Sequence, residues 1–172
     1  MLNADVLMKI RIRQATINDI DRLMPLYAAA KAYMNRSGNP NQWIDGYPSR
    51  DLIAGDIAKG HTHIIESDGI PEAVFSYIPG DDPTYAQIDG HWLDDAPYAV
   101  VHRLASAGRL KGAGKICLDW SLSQCPNLRV DTHADNLTMQ HILEAYGFVR
   151  CGIIHTHNGT PRIAYQMRRK PL

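Results

Sequence analysis

A chain of 172 residues, 45% hydrophobic, is long enough to fold as one domain with a sizeable core. Its 18 basic and 18 acidic side chains cancel, which gives no whole-protein argument for binding nucleic acid or an anionic membrane. No apolar run approaches the roughly 20 residues that span a bilayer.

Taken in chain order, the N-terminal MLNADVLMKIRIR lacks the apolar core and cleavage site of a secretory leader. Lys9 to Ala15 alternates apolar with basic residues, the pattern of a half-buried strand. Thr16-Ile17-Asn18-Asp19 has the form of a capping box, and Ile20, Leu23, Met24 and Tyr27 continue at helical spacing to about Asn35. An aromatic loop, Asn41 to Pro48, precedes a shorter helix capped by Ser49 and stopped by Gly60. Asp68-Gly69 between the runs His61–Glu66 and Glu72–Ile78 predicts a hairpin.

Asp81 to Pro97 is polar and irregular, and it carries His91 and Trp92. A strand, Tyr98 to Ser106, then enters the turn AGRLKGAGK, and a helix leaves it from Ala113 to Gln124. Leu128 to His133 is the next strand. A helix from about Asn136 is closed by Gly147, and the strands Phe148–His155 and Arg162–Arg168 flank an Asn158-Gly159 turn. With no repeat, linker or low-complexity tract, one domain over residues 1–172 is expected. Cys117, Cys125 and Cys151, odd in number and without metal spacing, read as buried thiols in a reducing cytoplasm.

The chemistry concentrates in the glycine turn. Gly108, Gly112 and Gly114 stand where strand becomes helix. Glycine lets backbone N–H groups approach a ligand, and a helix start adds unpaired donors and partial positive charge. Arg109, Lys111 and Lys115 add full charges, so the turn is a candidate pyrophosphate cradle. It is not a Walker loop, because Arg109 stands where the first glycine is required and Ile116 follows Lys115. It is not a dinucleotide fingerprint, because position 117 is cysteine.

Arg109-Leu110-Lys111-Gly112-Ala113-Gly114 resembles the R/Q-x-x-G-x-G/A signature of the GNAT superfamily of N-acetyltransferases. The element order resembles that fold from end to end. A second signature follows in order: Asp135-Asn136 opens a helix that ends in Tyr146-Gly147-Phe148. The resemblance implies an α/β fold with a mixed, mostly antiparallel sheet, its fourth and fifth strands splayed, flanked by about four helices. It implies acetyl-CoA as cosubstrate and no metal. The main chain of Leu110, Lys111, Gly112, Ala113, Gly114 and Lys115 would face the pyrophosphate beside Arg109. Backbone near Leu104 and the Asn136 side chain would bond the pantetheine arm. Family members often place a proton-donating tyrosine four residues before the helix-closing glycine, but Leu143 stands there in this chain. Tyr146 reads instead as a core aromatic.

The resemblance implies transfer of an acetyl group to a primary amine by direct attack on the thioester. A non-catalytic acyl-CoA-binding or partner-binding module on the same fold is the alternative, which Leu143 favours a little. The expected acceptor is a small molecule or peptide, walled by Trp43, Tyr47 and Trp92 with His91. No nucleic acid or membrane partner is expected. Family habit and the apolar C-terminal strands point to a homodimer.

The reaction needs a base near neutrality. His102, read as sharing a face with Tyr98, Val100 and Leu104, and His133, just ahead of Asn136, are the imidazoles the pattern brings nearest to the splay. Asp131 is the reserve candidate. The pairs His61/His63 and His155/His157 are joined by no Cys or carboxylate at ligand spacing, which argues against zinc.

Overall fold

The computed structural model describes residues 9–170. Met1 to Met8, part of the segment read for a leader, lie outside them. Strand β1 (Ile10–Gln14) leads into a short 3-10 turn, Ile17–Asp19, and then α1 (Ile20–Arg36). That turn is held locally, the Asp19 carboxylate accepting the Thr16 N–H at 2.8 Å. Ser49 Oγ accepts the Leu52 N–H at 3.1 Å and starts α2 (Arg50–Ala58). The hairpin of β2 (Thr62–Ser67) and β3 (Ile70–Pro79) turns on Asp68 and Gly69, both at positive φ (50° and 79°), as a tight two-residue turn requires.

The stretch Asp81–Pro97 is less irregular than its composition suggests. It holds a 3-10 turn, Pro83–Tyr85, and a two-residue strand, β4 (Asp89–Gly90). β4 pairs with a later strand, with Gly90 opposite Gly152. A Cβ on Gly90 would lie 2.1 Å from the Cys151 carbonyl oxygen, so the pairing depends on an absent side chain. Then come β5 (Ala99–Ser106), α3 (Ala113–Gln124), β6 (Asn127–Thr132), α4 (Leu137–Tyr146), β7 (Val149–His155) and β8 (Pro161–Arg168).

All eight strands form one sheet in the order β1-β2-β3-β5-β6-β8-β7-β4. Every pairing is antiparallel except β5 with β6. Those two run parallel and pair only at Ala99–Leu128 and Val100–Arg129, beyond which they part. They are the fourth and fifth strands of the sequence reading, displaced in number by the short β4. Mixed sheet, splayed pair and four α-helices agree with the expected fold. No described helix is long and apolar enough to cross a membrane.

Alternation along the strands divides the core between two faces. Ile65, Phe75, Val101, Val130 and Tyr165 pack on one side with Cys117, Leu118 and Leu122 of α3 and Leu143 of α4. Ile64, Val74 and Ala105 pack on the other with α1 and α2. On this second face the C-terminal half of the sheet is covered by the 81–97 segment, through Tyr85, Tyr98, Val100, Ile154 and Ala164. Of the three free cysteines only Cys117 is fully buried. Cys125, at the end of α3, and Cys151, on β7, are half-buried, contrary to the expectation for all three.

One break in the alternation positions the site. Arg103 has φ +56°, and the β3–β5 register slips between Val74 and Ser76, so β5 carries a bulge. His102 therefore stays on the α1/α2 face with Val100, while Leu104 turns to the α3/α4 side. The expectation that His102 and Leu104 share a face is corrected by this bulge.

Candidate active site

Where β5 and β6 part, a cleft of about 950 Å³ opens on the α3/α4 side and reaches across to α1. Its floor is Leu104 and Ser106 of β5, one end is the glycine turn, and α4 forms a wall. The turn suits phosphate. Gly112 caps α3 in the left-handed region (φ 76°), a conformation cheap for glycine. The Ile116 N–H bonds the Gly112 carbonyl at 3.0 Å, so the amides of Ala113, Gly114 and Lys115 precede the helical ladder and lack helical acceptors. Lys115, Arg36 and Arg169 bring positive charge to the lining. The volume lies in the range of small-molecule sites.

A small space of about 40 Å³ lies in the splay itself. His102, Arg103 and Asp131 line it beside Gly114, Leu118, Met139 and Leu143. Across this gap, on the opposite face, stands a cluster of polar side chains. There His102 Nε2 lies 2.8 Å from Asp82 Oδ2, and its Nδ1 lies 3.7 Å from Asp131 Oδ2. The Tyr85 hydroxyl donates to that same Asp131 oxygen at 2.7 Å. Arg103 pairs with Asp56 at 2.6 Å and donates to Tyr47 Oη at 3.0 Å.

These contacts settle the charges. Burial pushes the Asp82 carboxyl up, but hydrogen bonds from His102 and Thr84 outweigh it and hold the group well below the usual carboxylate range. Burial drives the phenols of Tyr85 and Tyr47 above their ordinary value, so both keep their protons. With ionised Asp82 accepting, the Nε2 of His102 carries a proton, and Nδ1 faces Asp131.

The residues singled out in the sequence land unevenly. Leu104, Leu110, Gly112, Ala113, Gly114, Lys115 and Asn136 all line the cleft. Asn136 also caps α4, its Oδ1 accepting the Met139 N–H at 3.0 Å, while Nδ2 donates to Gln42 Oε1 at 2.9 Å. Arg109 turns away to Glu72 on β3, at 3.1 Å, and the exposed Lys111 is not in the lining.

His133 lines neither the cleft nor the gap. Its Nδ1 accepts the Asp135 N–H at 3.0 Å, so that lone pair is spent on the local turn. Trp43 is 5% exposed and packs between Tyr27 and Tyr47. Trp92 donates to the Tyr85 carbonyl at 3.1 Å, with the Arg129 guanidinium 4.1 Å from its ring. Both tryptophans are built into loop packing, and of the three wall residues Tyr47 alone brings a hydroxyl to Arg103. His91 is exposed. His63, of the first histidine pair, stacks within an aromatic cluster 4.5 Å from Trp120 and spends Nδ1 on the His61 carbonyl.

Leu143 is fully buried, so no proton donor stands at that turn of α4. Tyr146 is not the core aromatic its position suggests. It is half-buried in the cleft lining, bonded to Asp119 and accepting from Arg169.

Sequence reading missed Tyr33, Met34 and Arg36 of α1 and Arg169 after β8, which complete the cleft. Tyr33 Oη meets Thr138 Oγ1 at 2.8 Å and ties α1 to α4 across it. No local signal marks these residues, since chain separations of about a hundred residues bring them together. Asp82 was equally hidden in the 81–97 stretch.

No family sequence profile matches the chain, and comparison with curated protein sequences gives no match. Solved structures do match. An acetyltransferase of the GNAT family from Streptococcus agalactiae is 34% identical with a TM-score of 0.85, covering 94% of this chain and 96% of its own. One from Listeria monocytogenes is 19% identical with a TM-score of 0.71, covering 94% and 96%. A NatC complex bound to Gag peptide and CoA is 15% identical with a TM-score of 0.55 over 95% and 100%, a likeness of fold alone. With splayed sheet, glycine turn and a relative at 34% identity over nearly its whole length, the chain belongs to the GNAT family of acetyltransferases.

Proposed function

We propose that the protein moves an acetyl group from coenzyme A to a primary amine, with the cofactor arm in the large cleft and the amine entering from the opposite face. The observation that carries this reading is the gap between β5 and β6, which joins the cleft to His102 and Asp131. The residues fit the cofactor. The amides of Gly112 to Lys115 would take the pyrophosphate. The β5 edge beyond Val100, unpaired by β6, would take the pantetheine amides as an added strand does. Asn136 would bond the same arm. CoA held by a NatC protein of this fold supports the assignment. When bound, the cofactor supplies an activated thioester.

His102 serves as the base in this reading. Asp82 fixes its tautomer, and an incoming ammonium sits between Nδ1 and Asp131. His102 takes one proton from the ammonium. The freed lone pair forms the C–N bond and the C–S bond breaks. The second nitrogen proton passes to the departing thiolate to give the amide and the coenzyme A thiol, and the imidazolium is stabilised by carboxylates on both sides. A thiolate whose conjugate acid has a pKa of about 8.5 leaves without help, so the buried Leu143 costs the reaction little. His133, with its Nδ1 occupied, is the weaker of the two histidine candidates.

The test is coenzyme A release from acetyl-CoA with a panel of primary amines. Turnover that is lost in His102→Gln supports the reading. Tight acetyl-CoA binding with no turnover of any amine supports instead the non-catalytic module that Leu143 favours.

A further inference from the structure

Among the described residues, the enclosed guanidinium groups meet a carboxylate or an aromatic face, with one exception. Arg13 pairs with Asp19 and Glu66, at 2.9 and 2.8 Å. Arg103 pairs with Asp56 at 2.6 Å. Arg129 lies between two rings, 4.1 Å from Trp92 and 3.9 Å from Tyr98, where cation–π attraction replaces a counter-ion. Arg162 is only 6% exposed, yet among the described residues it has neither a carboxylate partner nor an aromatic face. Nη1 donates to Thr160 Oγ1 at 3.1 Å and to the Pro161 carbonyl at 2.9 Å, and Nη2 donates to the Gln42 carbonyl at 3.1 Å. All three acceptors are neutral.

Burying a cation without a counter-charge is expensive. Burial lowers the pKa of Arg162, and the Asp131 carboxylate offsets this only from a distance. Of its five N–H donors, Nε–H and one Nη2–H have no partner among the described residues. Nε is also not sealed from solvent, in contrast to Arg129 Nε. A planar pair of donors on adjacent nitrogens matches a carboxylate.

The position is as telling as the charge. Asp131 pairs with Ala164 on β8, and Arg162 lies two residues along that strand. The side chains of Arg162 and Asp131 therefore share the sheet face on which His102 stands, with Cα atoms on the order of 7–8 Å apart. The Gln42 carbonyl, from the 41–48 loop, lies alongside Arg162. That face thus has a negative end, Asp131 beside Nδ1 of His102, and a positive end, Arg162. We propose that Arg162 is a specificity residue that binds the carboxylate of the acceptor, so that the substrate class is amino acids carrying amine and carboxylate a few bonds apart. This rests on the acetyltransferase reading above.

The experiment compares matched pairs in coenzyme A release: L-phenylalanine against phenethylamine, L-leucine against isopentylamine, and L-lysine against cadaverine. The wild-type protein is expected to favour the amino acid in kcat/KM by about 10²-fold, the worth of a charge-assisted pair. Arg162→Gln should bring that ratio toward one, and Arg162→Lys should restore part of it. Equal or better use of the decarboxylated amines by the wild type overturns the proposal, whether or not the variants fold. A ratio that survives Arg162→Gln overturns it too. Calorimetry with N-acetyl-L-phenylalanine separates this question from catalysis. If no amine is turned over, the acetyltransferase reading fails. Binding weakened at least about tenfold in Arg162→Gln would still uphold the carboxylate site, and binding unchanged by the variant would sink it.

Discussion

His102 Nδ1 and Asp131 Oδ2 stand 3.7 Å apart across the gap that opens between β5 and β6. Neither residue reaches that relationship alone. Asp82 holds the far side of the imidazole at 2.8 Å, and the Tyr85 hydroxyl holds the carboxylate at 2.7 Å. An ammonium placed between the two acceptors would meet a base on one side and a negative charge on the other.

Replacing His102 by Gln should lower kcat by about 10²–10⁴ and leave acetyl-CoA affinity nearly intact. Asp82→Asn acts through His102, so it should lower kcat less and displace the acidic limb of the kcat–pH profile. If kcat and its pH profile match wild type in both variants, His102 is not the base, and Asp131 or a water it holds takes its place as candidate.

Gly112 is at φ 76°, with nothing within 4 Å of where a Cβ would stand. Gly112→Ala should therefore fold, at a cost of about 1–2 kcal/mol for the left-handed conformation. Gly112→Asp carries the same strain and adds a negative charge at the helix start, so its acetyl-CoA Kd should rise at least about tenfold beyond that of Gly112→Ala. Calorimetry on the two folded variants reads the difference. Equal affinities would detach the glycine turn from phosphate binding.

Asp56 is buried, 6% exposed, and its Oδ2 takes Arg103 at 2.6 Å and Ser76 Oγ at 2.9 Å. Arg103→Met should destabilise the fold by about 3–5 kcal/mol, because it strands a buried carboxylate. The double variant Arg103→Met with Asp56→Leu should recover part of that loss. Urea unfolding checks both, and a single variant as stable as wild type would mean that the pair does not hold the β5 bulge to α2.

Hydrogen bonds from the Arg13 guanidinium, at 2.9 Å to each oxygen, hold the Asp19 carboxyl at about 2, below the ordinary aspartate value of about 3.9. A depressed folded-state pKa favours the folded protein above the unfolded value, and that contribution disappears as pH falls through the folded one. Asp19→Asn should thus cost about 1–2 kcal/mol at neutral pH. The gap from wild type should narrow between about pH 4 and pH 2 and close below it. A gap independent of pH over that range would mean that packing, not charge, accounts for the loss.

What the sequence determines by itself is local. The hydrophobic period of α1, the Ser49 cap, the Asp68-Gly69 turn, the three glycines before α3 and the Asn136 cap each act over a few residues, where backbone sterics and nearby donors decide. These features carried the element order, the family resemblance and the candidate phosphate turn, and the structure places them within a residue or two of where the pattern did. The tertiary structure decides what depends on partners far along the chain. The bulge at Arg103 is set by the β3 register and by Asp56, 47 residues away, so alternation alone put Leu104 on the wrong face. Asp82 becomes the partner of His102 only when the 81–97 stretch folds back over β5. Arg162 looks like any strand arginine until β8 docks beside β6 and the Gln42 loop closes over it. Burial then turns an ordinary cation into an unpaired one, because the worth of a charge depends on its surroundings, and short-range pattern does not encode them.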